Sequence, residues 1–301
     1  MKLPAPIRAL RPHQWSKNIF VLAALGFAYG DKSLGAGVDI GDLQRALFAF
    51  AAFCLGSSAI YLVNDVMDVE SDRQHPTKRF RPIAAGEISV SFALALSVFC
   101  AGGSLALAYF AGGQTLSVLG IVAAYMTLNL AYSVKLKQIL LVDAFCISTG
   151  FLFRVQAGGL AAETDVSKWL LLCTLFLTLF LALNKRRAEI ALLGEDRANC
   201  RAILREYTPG FLDQIVSVLA SCTILCYAMY TVDDTTTEKF GEGNLMIWTV
   251  PFVVFGIGRY LYIVDAHQGG GSPTKILLGG DKPFLIAGIL WFLAVAGIVL
   301  L

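Results

Sequence analysis

Three aspartates followed by a run of basic residues stand out in an otherwise apolar chain. They occur in the stretch YLVNDVMDVESDRQHPTKRFRP, residues 61–82, where Asp65, Asp68 and Asp72 are spaced i, i+3, i+7. On an α-helix this spacing places the three carboxylates on one stripe, with Asn64 as the i, i+4 neighbour of Asp68. Clustered carboxylates need a cation, and Mg²⁺ takes one or two of them together with phosphate oxygens and water. The pattern therefore predicts a site for a metal-bound phosphate or diphosphate.

The separation of the aspartates along the helix bears on the number of ions. At a rise of about 1.5 Å per residue, Asp65 and Asp72 are about 10 Å apart along the axis. This is too far for one Mg²⁺, whose ligands lie at about 2.1 Å. The stripe therefore predicts two ions, or one ion with some carboxylates acting through water, and the candidate metal ligands are Asn64, Asp65, Asp68 and Asp72. The competing interpretation is a solvated helix end paired with the basic residues that follow.

Seven basic residues are candidates for direct contacts with phosphate oxygens. They are Lys17, Lys78, Arg79, Arg81, Lys135, Lys185 and Arg186. Lysine and arginine form charge-assisted hydrogen bonds with such oxygens. Lys17 lies beside Trp15, and Lys185 and Arg186 end an apolar stretch, so anchoring at a membrane interface is the competing interpretation for these three.

Charged residues also occur within apolar stretches. Asp143, Arg154 and Arg259 are of this kind, and Arg154 lies eleven residues after Asp143, on nearly the same helix face. Ionisable residues in a membrane are costly and are functional candidates by default, whereas the alternative is a structural partner in a helix bundle.

The composition indicates an integral membrane protein. The mean hydropathy is +0.67, and 56% of the residues are hydrophobic. About 20 apolar residues cross a bilayer as a helix. Nine candidate spans lie at residues 18–30, 44–63, 90–110, 115–132, 139–160, 168–184, 212–231, 246–265 and 284–301. We therefore expect an all-α bundle of nine transmembrane helices, with residues 1–301 forming a single transmembrane catalytic domain.

The distribution of basic residues predicts the orientation. With the N-terminus in the cytoplasm, the inner segments hold 18 of the 24 lysines and arginines, as the positive-inside rule requires. The charged loops, and with them the candidate site, then face the cytoplasm. The basic loop at 185–211 either covers the site or binds anionic lipid. The net charge of +2 gives no indication of nucleic acid binding, and self-association of the bundle stays open.

Several motifs together resemble one known family. NDVMDVESD has the form N-D-x-x-D-x-x-x-D of the UbiA superfamily of intramembrane prenyltransferases, whose nine-helix bundle agrees with the span count. The continuation RQHPTKRFRPIAAG, with LRPHQWSKN, YSVKLK, GFLFRVQAGG, NKRRAE and GGDKPF, resembles the decaprenyl-phosphate phosphoribosyltransferase branch over most of the chain.

The resemblance implies an Mg²⁺-dependent enzyme of a bacterial inner membrane. It implies transfer of 5-phosphoribose from phosphoribosyl pyrophosphate (PRPP) to a polyprenyl (decaprenyl) phosphate, with release of pyrophosphate, in the synthesis of a lipid-linked arabinose donor for cell-wall polysaccharides. Asp65, Asp68 and Asp72 are then catalytic, with Asn64 as a further metal ligand. The seven basic residues clamp the phosphates, and Tyr132 and Asp143 position the donor.

Other functions are compatible with the same residues. An acidic stripe serves equally a UbiA-type prenyltransferase that moves a prenyl group from its diphosphate to an aromatic acceptor in quinone or haem biosynthesis. A membrane transporter is the alternative outside enzymes, with Asp143, Arg154 and Arg259 along its path. A catalytically inactive assembly partner is disfavoured by the intact aspartate set.

Overall fold

The computed structural model describes residues 3–29, 39–112, 117–193, 202–240, 245–266 and 281–300, and the regular structure of these residues is entirely helical. The helices are α1 Ala5–Ala9, α2 Phe20–Tyr29, α3 Ile40–Met67, α4 Val69–Gln74, α5 Val90–Ala111, α6 Ser117–Val134, α7 Val142–Ala161, α8 Lys168–Leu193, α9 Pro209–Val232, α10 Asp234–Phe240, α11 Val250–Ala266 and α12 Lys282–Leu300. Short 3₁₀ segments occur at Pro12–Ile19, Lys78–Phe80, Leu136–Gln138, Ala202–Arg205 and Leu245–Thr249.

Eight helices in the described residues are long and apolar enough to cross a membrane. They are α3, α5, α6, α7, α8, α9, the continuous segment Leu245–Ala266, and α12. The chain is therefore an all-α integral membrane protein, as expected. The span expected at 18–30 corresponds to α2, which has ten residues as described and so covers about half of a bilayer core. A ninth span and a cytoplasmic N-terminus stay predictions.

The chain divides into two compact units. The first comprises Met1–Ala28, Val38–Val134 and Phe153–Asp165, and the second comprises Tyr29–Gly37, Lys135–Leu152 and Val166–Leu301. The expectation of one catalytic domain over residues 1–301 stays a prediction.

The first unit is built on α3, whose buried face consists largely of small residues. Helices in lipid gain little from the hydrophobic effect and associate instead through close packing and interhelical hydrogen bonds. The hydroxyls of Ser97 and Ser104 on α5 donate to the backbone carbonyls of Ala59 and Ala52 on α3, at 2.9 and 2.7 Å. At Gly56 of α3, an added Cβ would lie 2.9 Å from Ser104 Oγ. The small residues therefore permit the approach that these hydrogen bonds need.

The length of α3 positions the candidate site. The helix begins with a reciprocal cap in which Asp39 and Asp42 each accept from the backbone N–H of the other, at 2.7 and 3.0 Å. It then runs for 28 residues, more than the about 20 that span a bilayer. Its last turn can thus carry Asn64 and Asp65 beyond the apolar stretch.

The second unit has its own apolar core. The helices α8 and α9 contribute Leu179, Phe180, Leu183, Leu212 and Val216, all nearly inaccessible to solvent. Tyr207, which precedes α9, is also fully buried in this core. A polar hydroxyl is thereby brought into an apolar interior, where it requires hydrogen-bond partners.

A glycine on α7 allows the N-terminal segment to pack within the first unit. A Cβ added at Gly158 would lie 1.9 Å from the backbone oxygen of Val21. Because that neighbour is backbone, it cannot turn aside as a side chain would. Gly158 therefore fixes how closely α2 approaches this helix.

We expect Gly158→Ala to destabilise the protein by about 1–3 kcal/mol or more, the range for overpacking. Gly102→Ala on α5 is the matched control, because an added Cβ there meets no atom within 4 Å. The measurement is thermal unfolding in detergent, and equal midpoints for the two variants would contradict the close approach at Gly158.

Candidate active site

The acidic stripe lies across a junction between two helices. Helix α3 ends at Met67, Asp68 occupies the junction, and α4 begins at Val69. The backbone N–H of Asp68 donates to the carbonyl of Asn64 at 2.9 Å, and that of Asp72 donates to the carbonyl of Asp68 at 2.8 Å. The sequence predicted one continuous helix, whereas the structure has a break at Asp68 with helical hydrogen bonds on both sides of it.

The side chains of Asp65 and Asp72 converge on one arginine. Asp65 and Asp72 are 3% and 1% exposed. Arg81 Nη1 donates to Asp65 Oδ1 at 3.1 Å and to Asp72 Oδ2 at 2.6 Å. One cationic nitrogen therefore contacts both carboxylates. The two side chains thus turn toward a shared partner despite their separation along the axis, and whether the site takes one Mg²⁺ or two stays a prediction.

Sequence reasoning missed a second arginine at this carboxylate. Arg11, in the segment before α2, forms an ion pair with Asp65 Oδ1 and lies over the ring of Tyr61, at 4.9 Å from its centroid. The only sequence signal was the motif LRPHQWSKN, in which Lys17, beside Trp15, was the predicted phosphate contact. Lys17 is exposed, and the indole N–H of Trp15 donates to Ser58 Oγ at 3.0 Å.

The basic run after the aspartates divides into near and distant members. Lys78 Nζ lies 3.9 Å from Asp72 Oδ1, and Arg81 bridges the two aspartates as described. The exposed Arg79 packs over the ring of Phe80, at 4.9 Å from its centroid. Of the three predicted phosphate contacts in this run, Lys78 and Arg81 are thus brought to the buried carboxylates.

Two buried oxygens at this site lack hydrogen-bond partners within the described residues. They are Asn64 Oδ1 and Asp72 Oδ1. An unsatisfied buried acceptor costs about 1–3 kcal/mol, and carboxylate and amide oxygens are ligands that Mg²⁺ accepts. No three His, Cys, Asp or Glu side chains in the described part of the chain are grouped closely enough to hold a metal. The residues therefore fit an ion that takes the amide of Asn64 and phosphate or water oxygens besides carboxylates.

The electrostatic environment of the N-terminal segment is positive. Burial, followed by the charges of Arg11 and Lys17, lowers the pKa of His13. The imidazole is therefore neutral at pH 7, and the positive charge in this segment belongs to the arginine and the lysine.

A second charged cluster lies in the second unit. Asp143 on α7 is inaccessible to solvent, and Arg186 on α8 is 3% exposed. Arg186 Nε donates to Asp143 Oδ2 at 2.9 Å, and its Nη1 donates to Glu189 Oε2 at 2.8 Å. Lys185 Nζ lies 3.8 Å from Glu189 Oε1. The two predicted phosphate ligands on α8 are thus held by carboxylates.

Tyr207 completes this cluster and was not predicted. Its hydroxyl donates to Asp143 Oδ1 at 2.7 Å and accepts from the backbone N–H of Leu141 at 3.0 Å. Burial, then the hydrogen bond to Asp143, raise the pKa of Tyr207, so the phenol stays protonated and remains a donor. Leu141 has φ of 65°, a left-handed conformation that is costly for a branched residue. The sequence EYTPGF carries no signal for these contacts.

The remaining predicted donor contacts lie around the end of α6. Tyr132 is half-buried in the last turn of α6 and belongs to the first unit. Lys135 is exposed, follows the end of α6 and belongs to the second unit. Their roles in donor binding stay predictions.

The other intramembrane charges have structural partners. Arg154 donates to Asn18 Oδ1 at 2.8 Å and to the Tyr125 hydroxyl at 2.9 Å. Arg259 forms a two-pronged ion pair with Asp281, at 3.1 and 2.8 Å. These contacts favour structural roles over the translocation path of a transporter.

The basic loop is described only in part. Residues 185–193 of the predicted loop belong to α8, and residues 194–201 lie outside the described residues. Its role as a cover or a lipid contact stays a prediction. At its start, Arg187 pairs with Asp213 and Asp265, at 2.5 and 3.1 Å.

Similarity to known proteins extends over nearly the whole chain. The model of the UbiA prenyltransferase family matches residues 19–275. A decaprenyl-phosphate phosphoribosyltransferase of Corynebacterium glutamicum is 39% identical over 95% of this chain and 83% of its own length. The protein of the same name from Mycolicibacterium smegmatis is 37% identical over 95% of this chain and 89% of its own.

The fold is also shared with a solved structure. A UbiA homolog from Archaeoglobus fulgidus, bound to DMAPP and Mg²⁺, superimposes with a TM-score of 0.71 at 18% identity, covering 98% of this chain and 99% of that chain. At this identity the similarity establishes the fold alone.

We expect Tyr207→Phe to lower the free energy of unfolding by about 1–3 kcal/mol, because it removes the donor to Asp143 and the acceptor for the Leu141 amide. Tyr262→Phe is the control, since Tyr262 is 58% exposed. Thermal unfolding of both variants in detergent checks this, and a control as unstable as Tyr207→Phe would contradict it.

The pH dependence of stability provides a second test of Tyr207. The pKa of Tyr207 is raised in the folded protein, whereas the pKa of a tyrosine in the unfolded chain is about 10. The unfolded state therefore loses this proton first, and the contribution of Tyr207 to stability is complete below about pH 10 and declines above it. We expect the unfolding midpoint of the wild type to fall more steeply above this pH than that of Tyr207→Phe. Parallel curves would contradict the assignment.

Proposed function

Because the chain belongs to the UbiA prenyltransferase family, we propose that it transfers 5-phosphoribose from PRPP to decaprenyl phosphate, with Mg²⁺, and releases pyrophosphate. The observation that carries this proposal is the similarity, over 95% of the chain, to relatives named decaprenyl-phosphate phosphoribosyltransferase. The whole of residues 1–301 then serves as one catalytic domain. The product is a lipid-linked pentose phosphate, a precursor suited to the arabinose of cell-wall polysaccharides.

The acidic stripe at the junction of α3 and α4, which we call the acidic junction, supplies the site for the leaving diphosphate. Asn64, Asp65, Asp68 and Asp72 are the residues that would hold Mg²⁺, and two of their buried oxygens lack partners within the described residues. When bound there, Mg²⁺ neutralises charge that grows on the departing pyrophosphate. Support for the metal comes from this donor set and from the related fold that was solved with Mg²⁺.

The basic side chains bind and orient the phosphates. Arg81 and Lys78 already lie at Asp65 and Asp72 and are placed to contact diphosphate oxygens. Further phosphate contacts come from four residues that stay proposals from sequence. These are Lys17, Arg79, Lys135 and Lys185.

Asp143 and Tyr132 stay proposals from the sequence for positioning the donor. Asp143 is fixed by Arg186 and by Tyr207, so its carboxylate is held in one orientation. The guanidinium of Arg186 is held by ion pairs with Asp143 and Glu189. The attacking oxygen belongs to a phosphate monoester, whose second pKa of about 6 leaves it anionic at neutral pH. The reaction therefore needs no strong base from the protein.

The proposed location is the inner membrane of a bacterium, with the site facing the cytoplasm. Eight described helices support insertion into a membrane. The concentration of 18 of 24 lysines and arginines in segments on the side of the N-terminus supports the orientation. Both substrates suit this location, because PRPP is soluble and the polyprenyl chain remains in lipid.

The test of function is direct. Purified protein is incubated with Mg²⁺, decaprenyl phosphate and PRPP labelled in its ribose, and radioactivity is then measured in the lipid phase with and without EDTA. Metal-dependent labelling of the lipid is the expected result. Absence of labelling, together with consumption of a prenyl diphosphate and an aromatic acid, would instead establish aromatic prenyl transfer.

Asp68→Asn tests the acidic junction within this assay. We expect a loss of at least about a hundredfold in kcat, because removal of one group that stabilises developing charge commonly costs 10²–10³. Glu70→Gln is the matched control, since Glu70 lies two residues away, is exposed and pairs with Arg73. Transfer by Asp68→Asn at the rate of the control, with both variants folded, would contradict the assignment.

A further inference from the structure

Two guanidinium groups compete for one oxygen at the acidic junction. Arg11 and Arg81 both bind Asp65 Oδ1, and Arg81 also binds Asp72 Oδ2. Asp65 is one of the carboxylates that the proposed function assigns to the metal. In the structure, arginines thus occupy the carboxylate that the proposed function assigns to a divalent cation.

The charges at this junction balance. Arg11, Arg81 and Lys78 contribute three positive charges close to Asp65 and Asp72, and Asp68 at the helix junction is the third acid. A divalent cation entering alone leaves an excess of positive charge beside the arginines. A diphosphate entering alone leaves an excess of negative charge beside the aspartates. Together the two opposite charges partly cancel and leave a smaller excess than the diphosphate alone, so each favours the binding of the other.

The surroundings of Arg11 allow its guanidinium to exchange Asp65 for a phosphate oxygen. The segment around it is tied to α3 through Ser58, whose hydroxyl lies 2.8 Å from the carbonyl oxygens of both Leu10 and Cys54 and accepts from the Trp15 indole at 3.0 Å. The guanidinium rests over the ring of Tyr61, and its side chain is one-fifth exposed. Exchange therefore requires only rotation of the side chain, while the segment stays in place.

We propose that Arg11 is the counter-ion of Asp65 before the ligands bind and moves to the diphosphate when metal and diphosphate bind together. This inference rests on the proposed function and adds a residue that couples the two ligands. Phosphate oxygens replace the carboxylate as the acceptor of its charge-assisted hydrogen bonds, so the guanidinium keeps a partner in both states. Arg81, which pairs with both Asp65 and Asp72, exchanges these carboxylates for phosphate oxygens in the same way.

The experiment measures binding and not turnover. Calorimetry gives the affinity of the full chain in detergent for Mg²⁺ alone. Equilibrium dialysis with labelled pyrophosphate gives the affinity for this anion in EDTA and in saturating Mg²⁺. Formation of magnesium pyrophosphate in solution is the same for every variant and cancels when variants are compared.

Arg11→Gln is expected to change two affinities in opposite directions. Mg²⁺ alone should bind at least about fivefold more tightly, because its competitor at Asp65 is gone, and pyrophosphate in saturating Mg²⁺ should bind at least about fivefold more weakly, the lower range of coupling between sites. Arg8→Gln is the matched control, because Arg8 lies in the same segment and pairs with Glu87. Arg11→Lys should show the same changes to a smaller extent, since an ammonium reproduces the guanidinium contact only in part, and it replaces Arg11→Gln if that variant does not fold.

The outcomes separate this inference from the function on which it rests. Opposite changes in Arg11→Gln, with none in Arg8→Gln, support the exchange. If the Arg11 variants leave both affinities unchanged or lower both, while Asp65→Asn abolishes Mg²⁺-dependent pyrophosphate binding, the exchange is wrong and the metal site stands. If pyrophosphate binds equally with and without Mg²⁺ and equally to Asp65→Asn, both the metal site and the exchange are wrong.

Discussion

A carboxylate that leaves water must find a cation, and this constraint organises both polar clusters of the protein. In the first unit Asp65 and Asp72 share Arg81, and in the second Asp143 is paired with Arg186. Leaving such a carboxylate without its partner costs about 3–5 kcal/mol. The planar fork of arginine suits the task, because one side chain can serve two acceptors. The same planar geometry also suits phosphate oxygens, so the side chains that pair with these carboxylates are of the type suited to the proposed phosphate contacts.

The helix scaffold makes these pairs possible. Small residues along α3 let α5 approach closely enough for serine hydroxyls to bond to backbone carbonyls, which fixes α3 without large apolar contacts between the helices. The long α3 then carries its polar end out of the apolar stretch, and the break at Asp68 lets Asp65 and Asp72 face one arginine. Chemistry at the junction thus depends on packing that lies several turns away.

The sequence was sufficient for features that are local or periodic. The apolar stretches predicted the helices that cross the membrane, and the spacing of the aspartates predicted where charge gathers. Lys78 and Arg81 were found because they follow the aspartates within a few residues. The span predicted at 18–30 corresponds to α2, and its crossing of the membrane stays a prediction.

Features that depend on contacts between distant residues were not predictable. Arg11 is 54 residues from Asp65, and Tyr207 is 64 residues from Asp143. Nothing in the composition around either residue distinguishes it from an ordinary surface arginine or a core tyrosine. The separation along the helix axis likewise did not predict that Asp65 and Asp72 share Arg81, because it ignores the length and direction of the side chains.

The hydrogen bond between Trp15 and Ser58 also gives the protein a built-in optical reporter. Of the four tryptophans, Trp15 belongs to the first unit, and those at positions 169, 248 and 291 belong to the second. Replacement of these three by phenylalanine leaves a single indole, whose emission wavelength reports on the hydrogen bond that anchors the segment beside Arg11. Rearrangement of that segment then becomes visible in unlabelled protein, in the time resolution of a stopped-flow fluorimeter.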